Sequence, residues 1–116
     1  MRRTLALTGA LTVLVGLVHV GVAACEYSAF TLDALWFVGS GIAVGLIGVL
    51  SLLASIDGPP VMRWAAAGAN LLGLALAVGF LGLVGWQAPQ GLVLVVLFAT
   101  GVVCTLRMDS ARSLAR

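Results

Sequence analysis

One histidine, one asparagine and a few hydroxyls are nearly all the chemistry that the apolar stretches of this chain carry. His19 is the one ionisable side chain in the middle of such a stretch. An imidazole there can relay protons, contact a ligand or ligate haem. A single histidine per chain gives bis-histidine ligation only across a dimer, which ranks a haem or quinone site below the other readings. The structural alternative is packing, with the ring donating to Ser40 or to a backbone carbonyl. Glu26 lies on the same helical side seven residues on, ~10 Å along the axis, too far for a direct bond to His19.

The remaining polar groups fall into layers. At ~1.5 Å rise per residue, Thr12, Asn70 and Thr100 share one level, and His19 and Ser40 share another. Asn70 lies on the side of its helix that carries Gly73 and Ala77, so it is expected to face Thr12 or Thr100. An interhelical hydrogen bond of this kind contributes roughly 0.6 kcal/mol on average. The functional alternative is a polar path lined by His19, Ser40, Thr12, Asn70 and Thr100.

No HExxH, CxxC, P-loop or glycine-rich nucleotide fingerprint occurs. The four carboxylates, Glu26, Asp33, Asp57 and Asp109, all fall at helix ends or in loops. This pattern implies no metal, no cofactor and no enzyme. It also sets the chain apart from families of similar size. Small multidrug transporters keep a carboxylate mid-way along helix one, where this chain reads Leu11-Thr12-Val13-Leu14-Val15-Gly16. Asn70-Leu71-Leu72-Gly73 resembles the Asn-x-x-Gly helix of small fluoride channels, but their filter segment has no counterpart. Val38-Gly39-Ser40-Gly41 lacks the first glycine of the rhomboid protease turn.

The elements that position these residues follow from composition. Of 116 residues, 62% are apolar and 9% charged, against about a quarter charged in soluble domains. Four apolar blocks, 4–24, 34–56, 62–85 and 89–106, each approach the roughly 20 residues that cross hydrocarbon. Backbone groups in lipid must be satisfied within the segment, and strict alternation is absent, so the blocks are helices. The expected fold is an all-α integral membrane protein, a four-helix antiparallel bundle in a single domain with a short tail over 107–116.

Asp33 is expected to cap the second helix, Asp57-Gly58-Pro59-Pro60 to end it, and Pro89 to open the fourth. Arg63, one residue inside the third block, is expected to reach for the headgroups. Four crossings put Arg2, Arg3, Arg63, Arg107, Arg112 and Arg116 on one side, which excess arginine marks as cytoplasmic. Both termini are therefore expected in the cytoplasm. The absence of lysine and the excess of Ala, Gly, Val and Leu suggest a bacterial genome rich in G and C, and so a bacterial inner membrane.

Val22-Ala23-Ala24-Cys25 resembles the lipobox of bacterial lipoproteins, which would make Cys25 a lipidated terminus. The ~20-residue run before it is long for a cleaved signal, typically 7–15 residues. Cys25 and Cys104 fall on opposite faces of the membrane, so no disulfide joins them.

Small residues mark expected contact faces: Gly9, Thr12, Gly16, His19 and Ala23 on helix one; Gly41, Gly45, Gly48 and Ser55 on helix two; Ala65, Ala69, Gly73 and Ala77 on helix three. With minimal loops, these faces favour an accessory subunit. It would pack in the lipid bilayer against another membrane protein or against itself as a homo-oligomer, with no nucleic-acid partner. The alternative is an oligomeric small-solute channel or transporter, or a small-molecule-binding membrane protein, using His19 and Asn70.

Overall fold

A computed structural model describes residues 1–56 and 59–113, with side chains described as far as Met108. The described residues are helical apart from short connections, and no strand occurs among them. The helices are α1 (Arg2–Glu26), α2 (Leu32–Ser55), α3 (Pro60–Val84) and α4 (Pro89–Ser113). All four are long and apolar enough to cross a membrane, with mean hydropathies of 2.0 to 2.2 over their best windows. No apolar block broke into strands because each satisfies its own backbone along the helix.

Helices start and stop close to the positions read from the blocks, with corrections at the ends. Helix α2 is capped by Thr31, whose hydroxyl accepts from the Ala34 N–H at 3.2 Å. Asp33 instead lies inside the first turn, where a carboxylate still favours the positive end of the helix dipole. Helix α3 begins with Pro60 at its first position, where a missing N–H costs nothing. It ends at Gly85, whose φ of 105° is open to glycine and strained for L residues. Helix α4 opens on Pro89 and runs beyond 106 to Ser113, so most of the expected tail is helix. Asp57 and Gly58 lie outside the described residues.

Leu5, Ala54, Ala66 and Cys104 form one buried cluster. These residues come from the start of α1, the end of α2, the start of α3 and the end of α4. The chain therefore runs up, down, up and down, as the short connections require. We call this the arginine end, since Arg2, Arg3, Arg63 and Arg107 belong to it, and the opposite one the hairpin end.

Within each hairpin the seam is tight. A Cβ at Gly16 would stand 2.6 Å from the Gly41 oxygen and the Gly45 nitrogen, and one at Gly48 2.6 Å from the Val13 nitrogen. Only glycine lets α1 and α2 come this close, backbone on backbone. Helices α3 and α4 interlock through side chains instead: Phe98 fills the space beside Gly73, and Leu81 that beside Gly91. Cys25 is exposed, Cys104 is buried, and both are free thiols.

Candidate functional site

The expected polar layers can be placed residue by residue. Asn70 is 1% exposed. Its amide nitrogen donates to the Ser51 hydroxyl at 2.8 Å and to the Ala66 carbonyl at 2.8 Å. Ser51 passes its own proton to the Ile47 carbonyl at 3.0 Å. The Asn70 carbonyl oxygen occupies the space that Gly101 leaves by lacking a side chain. Asn70 thus ties α3 to α2 and seats on α4.

Neither Thr12 nor Thr100 is its partner, contrary to the expectation. Thr12 is buried and donates to the Thr8 carbonyl at 2.8 Å, and Thr100, half-buried, donates to the Val96 carbonyl at 2.7 Å. Hydroxyls in helices commonly satisfy themselves this way, which removes both from any shared polar path.

His19 is half-buried and lies flat on Phe37, with ring centroids 3.9 Å apart and planes 11° apart. Tyr27 tilts against the same phenyl ring at 6.0 Å. Ser40 does not bond His19; its hydroxyl donates to the Phe37 carbonyl at 2.8 Å and the residue is exposed. The histidine therefore buttresses the α1–α2 hairpin through an aromatic stack.

Two other expectations are corrected here. Arg63 is 4% exposed and engaged inside the protein. It faces the packed side of α3 with Ala66, Ala67 and Asn70 and does not reach outward. The small-residue stripe of α3 is rotated from the expected one: Ala65 is exposed and Ala69 half-buried, whereas Ala66, Asn70, Gly73, Ala77 and Leu81 are buried. On α1 the expected face holds, with Gly9, Thr12, Gly16 and Ala23 buried, joined by Leu5 and Thr8. On α2, Gly41 and Gly48 are buried, while Gly45 and Ser55 are half-buried.

The arrangement with most chemical consequence emerges on stepping outward from the four-helix cluster. Seven-residue steps keep a position facing its partners in a left-handed bundle. From Leu5 the steps reach Thr12, His19 and Glu26; from Ala54 they reach Ile47, Ser40 and Asp33. On the other hairpin they run from Ala66 to Gly73 and Phe80, and from Cys104 to Leu97 and Gln90. The first level is buried on all four helices, and at the second Thr12, Gly73 and Leu97 are buried with Ile47 half-buried. At the third, His19 is half-buried, Ser40 and Gln90 are exposed and Phe80 is 39% exposed. Glu26 and Asp33 beyond them are exposed.

Seams inside the hairpins do not loosen in this way. Ala23 and Ala34 stay buried near the tip of one hairpin, and Leu81, Ala88 and Gly91 near the tip of the other. At the hairpin end these seven-residue positions are thus exposed or half-buried, whereas Leu81, on the packed stripe of α3, stays fully buried. His19, Ser40, Phe80 and Gln90 share one level, ~21 Å from the cluster at 1.5 Å per residue, and the His19 and Phe80 side chains lie against Gly41 and Gly91 of their own hairpins. One level nearer the cluster, Thr12, Gly73 and Leu97 are buried, with Phe98 on Gly73. Gln90 and Phe80 are the residues that sequence reading missed; the seven-residue spacing back to Cys104 and Ala66 was the signal for them.

Two apolar recesses lie elsewhere. One of about 300 Å3 sits under the α1–α2 connection between Val20, Tyr27, Phe30 and Val38. The other, about 340 Å3, follows the α1–α2 seam along Val13, Leu17, Ile42 and Leu46. Among the described residues, no three of His, Cys, Asp and Glu gather where they could hold a metal ion.

Fold and site together define a class: an all-helical bundle of four helices, each long and apolar enough to span a membrane. Comparison with protein families, with curated proteins and with solved structures finds no match to this chain.

Proposed function

We propose that the chain is a multi-pass protein of the bacterial inner membrane with both termini in the cytoplasm. Its role is that of an accessory subunit packing against another membrane protein. One observation supports the role above others. Toward the hairpin end Ser40, Phe80 and Gln90 are exposed on three different helices. Exposed helix faces of this kind suit a helix of another chain better than an enclosed small solute. The outside of α3 adds a second uncovered strip, where Gly68, Ala75, Gly79 and Gly82 are exposed and the three glycines have nothing within 4 Å of a Cβ. Small residues let helices approach closely in lipid. The role is non-catalytic.

The orientation rests on Arg2, Arg3, Arg63 and Arg107 falling at one end of the bundle, with Arg112 and Arg116 further along the sequence after Arg107. Cys25 offers a direct test, being exposed at the hairpin end. A membrane-impermeant maleimide added to intact spheroplasts is expected to label it. Labelling only after lysis would reverse the topology. The intact mass distinguishes a lipidated Cys25 from an unreactive one; loss of residues before it would also strip Leu5, Thr8 and Thr12 from the core. The role is tested by native mass spectrometry of gently extracted membranes. A complex with a larger foreign subunit is the expected result, and a monomer under conditions that preserve other complexes would overturn it.

A second reading is favoured by the polar side chains His19, Ser40 and Gln90 at one level of the bundle. They would hold a small polar solute entering past Glu26 and Asp33. The buried Thr12, Gly73 and Leu97 one level nearer the arginine end then make the chain a binding protein and not a pore in itself. Asn70, consumed by Ser51 and Ala66, takes no part in it.

A further inference from the structure

We infer that the outward face of the α1–α2 hairpin binds one acyl chain of a phospholipid with a primary-amine headgroup, an inference that rests on the membrane-spanning reading above. The lipid comes from the leaflet at the hairpin end. The two apolar recesses of this hairpin are parts of one furrow, since Val20 lines both. Its lining steps through Leu17, Val20 and Ala24 on α1, and through Leu46, Ile42 and Val38 on α2. Steps of three and four residues keep to one face of a helix, so the furrow follows the seam without a break. Ile47 and Ser51, which α2 turns toward Gly73 and Asn70 of α3, lie off that face. The furrow therefore opens away from the other hairpin, toward lipid.

Glycine makes its floor. Gly16 meets the backbone of Gly41 and Gly45, while a Cβ at Gly45 would itself meet nothing within 4 Å. From Tyr27 at the mouth to Val13 at the far end, the furrow spans ~21 Å at 1.5 Å per residue. One leaflet contributes about 15 Å of hydrocarbon and a further ~5 Å or so of headgroup region. The furrow thus follows the course of a single acyl chain from headgroup to midplane. Recesses of about 300 and 340 Å3 take a chain of methylenes, whereas a helix, about 10–12 Å across, would enter only by its side chains. The headgroup then lies by the α1–α2 connection, which Glu26 and Asp33 flank, both exposed. No arginine or lysine falls between Arg3 and Arg63 or between Arg63 and Arg107. This end therefore attracts an ammonium group and repels an anionic headgroup.

The site is read by native mass spectrometry of the full chain released from nanodiscs of phosphatidylethanolamine and phosphatidylglycerol in equal parts. One phosphatidylethanolamine per chain is expected to stay bound. Gly45→Leu fills the furrow from a position where a Cβ meets nothing. It should lower the retained fraction roughly tenfold, the loss of about two methylenes of contact. Gly79→Leu, on the outside of α3 where a Cβ also meets nothing, is the matched control and should keep the lipid. Ala24→Leu, at an exposed position lining the mouth, carries the same test if circular dichroism shows Gly45→Leu to be misfolded. Equal retention by the filled and control chains would overturn the inference. So would phosphatidylglycerol held as often as phosphatidylethanolamine, or a chain that floats with the discs and keeps no lipid. A chain that does not float with the discs would overturn the membrane-spanning reading as well.

Discussion

The arginine end and the hairpin end of this bundle are made from the same four helices and solve different problems. At the arginine end, the positions facing inward are Leu5, Ala54, Ala66 and Cys104, apolar and each at most 3% exposed. Fourteen residues along, the same positions are His19, Ser40, Phe80 and Gln90. Three of these are polar, and none is buried. Polar groups in hydrocarbon are expensive unless satisfied, and only Ser40 is satisfied locally, by the Phe37 carbonyl. The comparison teaches that this set of positions is apolar and buried at one end and largely polar and exposed at the other, while other positions, Ala23, Ala34 and Leu81 among them, stay buried toward the hairpin end.

The largest expected effect comes from a seam. Gly48→Val would drive its side chain into the Val13 nitrogen and the Gly9 oxygen, which a Cβ alone would approach to 2.6 and 2.7 Å. Backbone cannot give way as a flexible side chain can. We expect a loss of about 3 kcal/mol in reversible unfolding in bicelles, the upper end of overpacking costs. Gly21→Val, where nothing lies within 4 Å, is the matched control and should be near neutral. Equal losses would mean that glycine acts here through helix propensity and not through close approach.

Next in size is the site of Asn70. Asn70→Ala removes the bond to Ser51 and the filling beside Gly101. A hydrogen bond of this type contributes roughly 0.6 kcal/mol, and the cavity adds to it, giving a loss of about 1–2 kcal/mol. Gly101→Ala should cost a similar amount, since its methyl group displaces the same amide. The double variant should cost less than the sum, as expected for residues in contact. Additive losses would show that the two residues do not share one site.

These two sets of residues also show what could be read before the structure. Four spans, their alternating directions and the packed face of α1 were legible, because length, apolar content and one periodic face fix them. Depth along the bundle was legible to about a turn: Asn70 does meet α4 at Gly101, next to the expected Thr100. Rotation was not. On α3 small residues occur all around the helix, with Ala66, Gly73 and Ala77 facing protein and Ala65, Gly68 and Gly79 exposed. Nothing in their size says which stripe faces inward. Ser51 was overlooked because a serine amid Leu and Ala gives no sign of which neighbour it will meet. The α2 cap was misassigned for a smaller reason: Thr31 and Asp33 are both good capping types, and only the path of the preceding loop chooses between them.

His19→Ala sharpens the comparison toward the hairpin end. It removes the stack on Phe37, and stacks of this kind contribute about 0.5–1.5 kcal/mol. Because the contact lies within one hairpin, the loss should appear as local loosening of α1 against α2 near Tyr27. Hydrogen exchange would resolve this from global unfolding. Protection lost instead across α3 and α4 would show that His19 also bridges the hairpins.

The smallest expected effect on stability carries the most weight for function. Ser40→Leu replaces an exposed hydroxyl that bonds only its own helix, so the fold should change by less than about 0.5 kcal/mol. The two readings of this level then diverge. If a partner helix covers it, leucine adds apolar surface to the contact, and the foreign subunit should still co-purify. If a polar solute occupies it, leucine removes a polar group at the level of His19 and Gln90, and solute binding should disappear while the complex, or its absence, is unaffected. A chain that keeps its stability but loses its partner on Ser40→Leu would place the contact at this level and make it polar. That outcome contradicts an apolar docking face and assigns the hydroxyl to the partner's recognition.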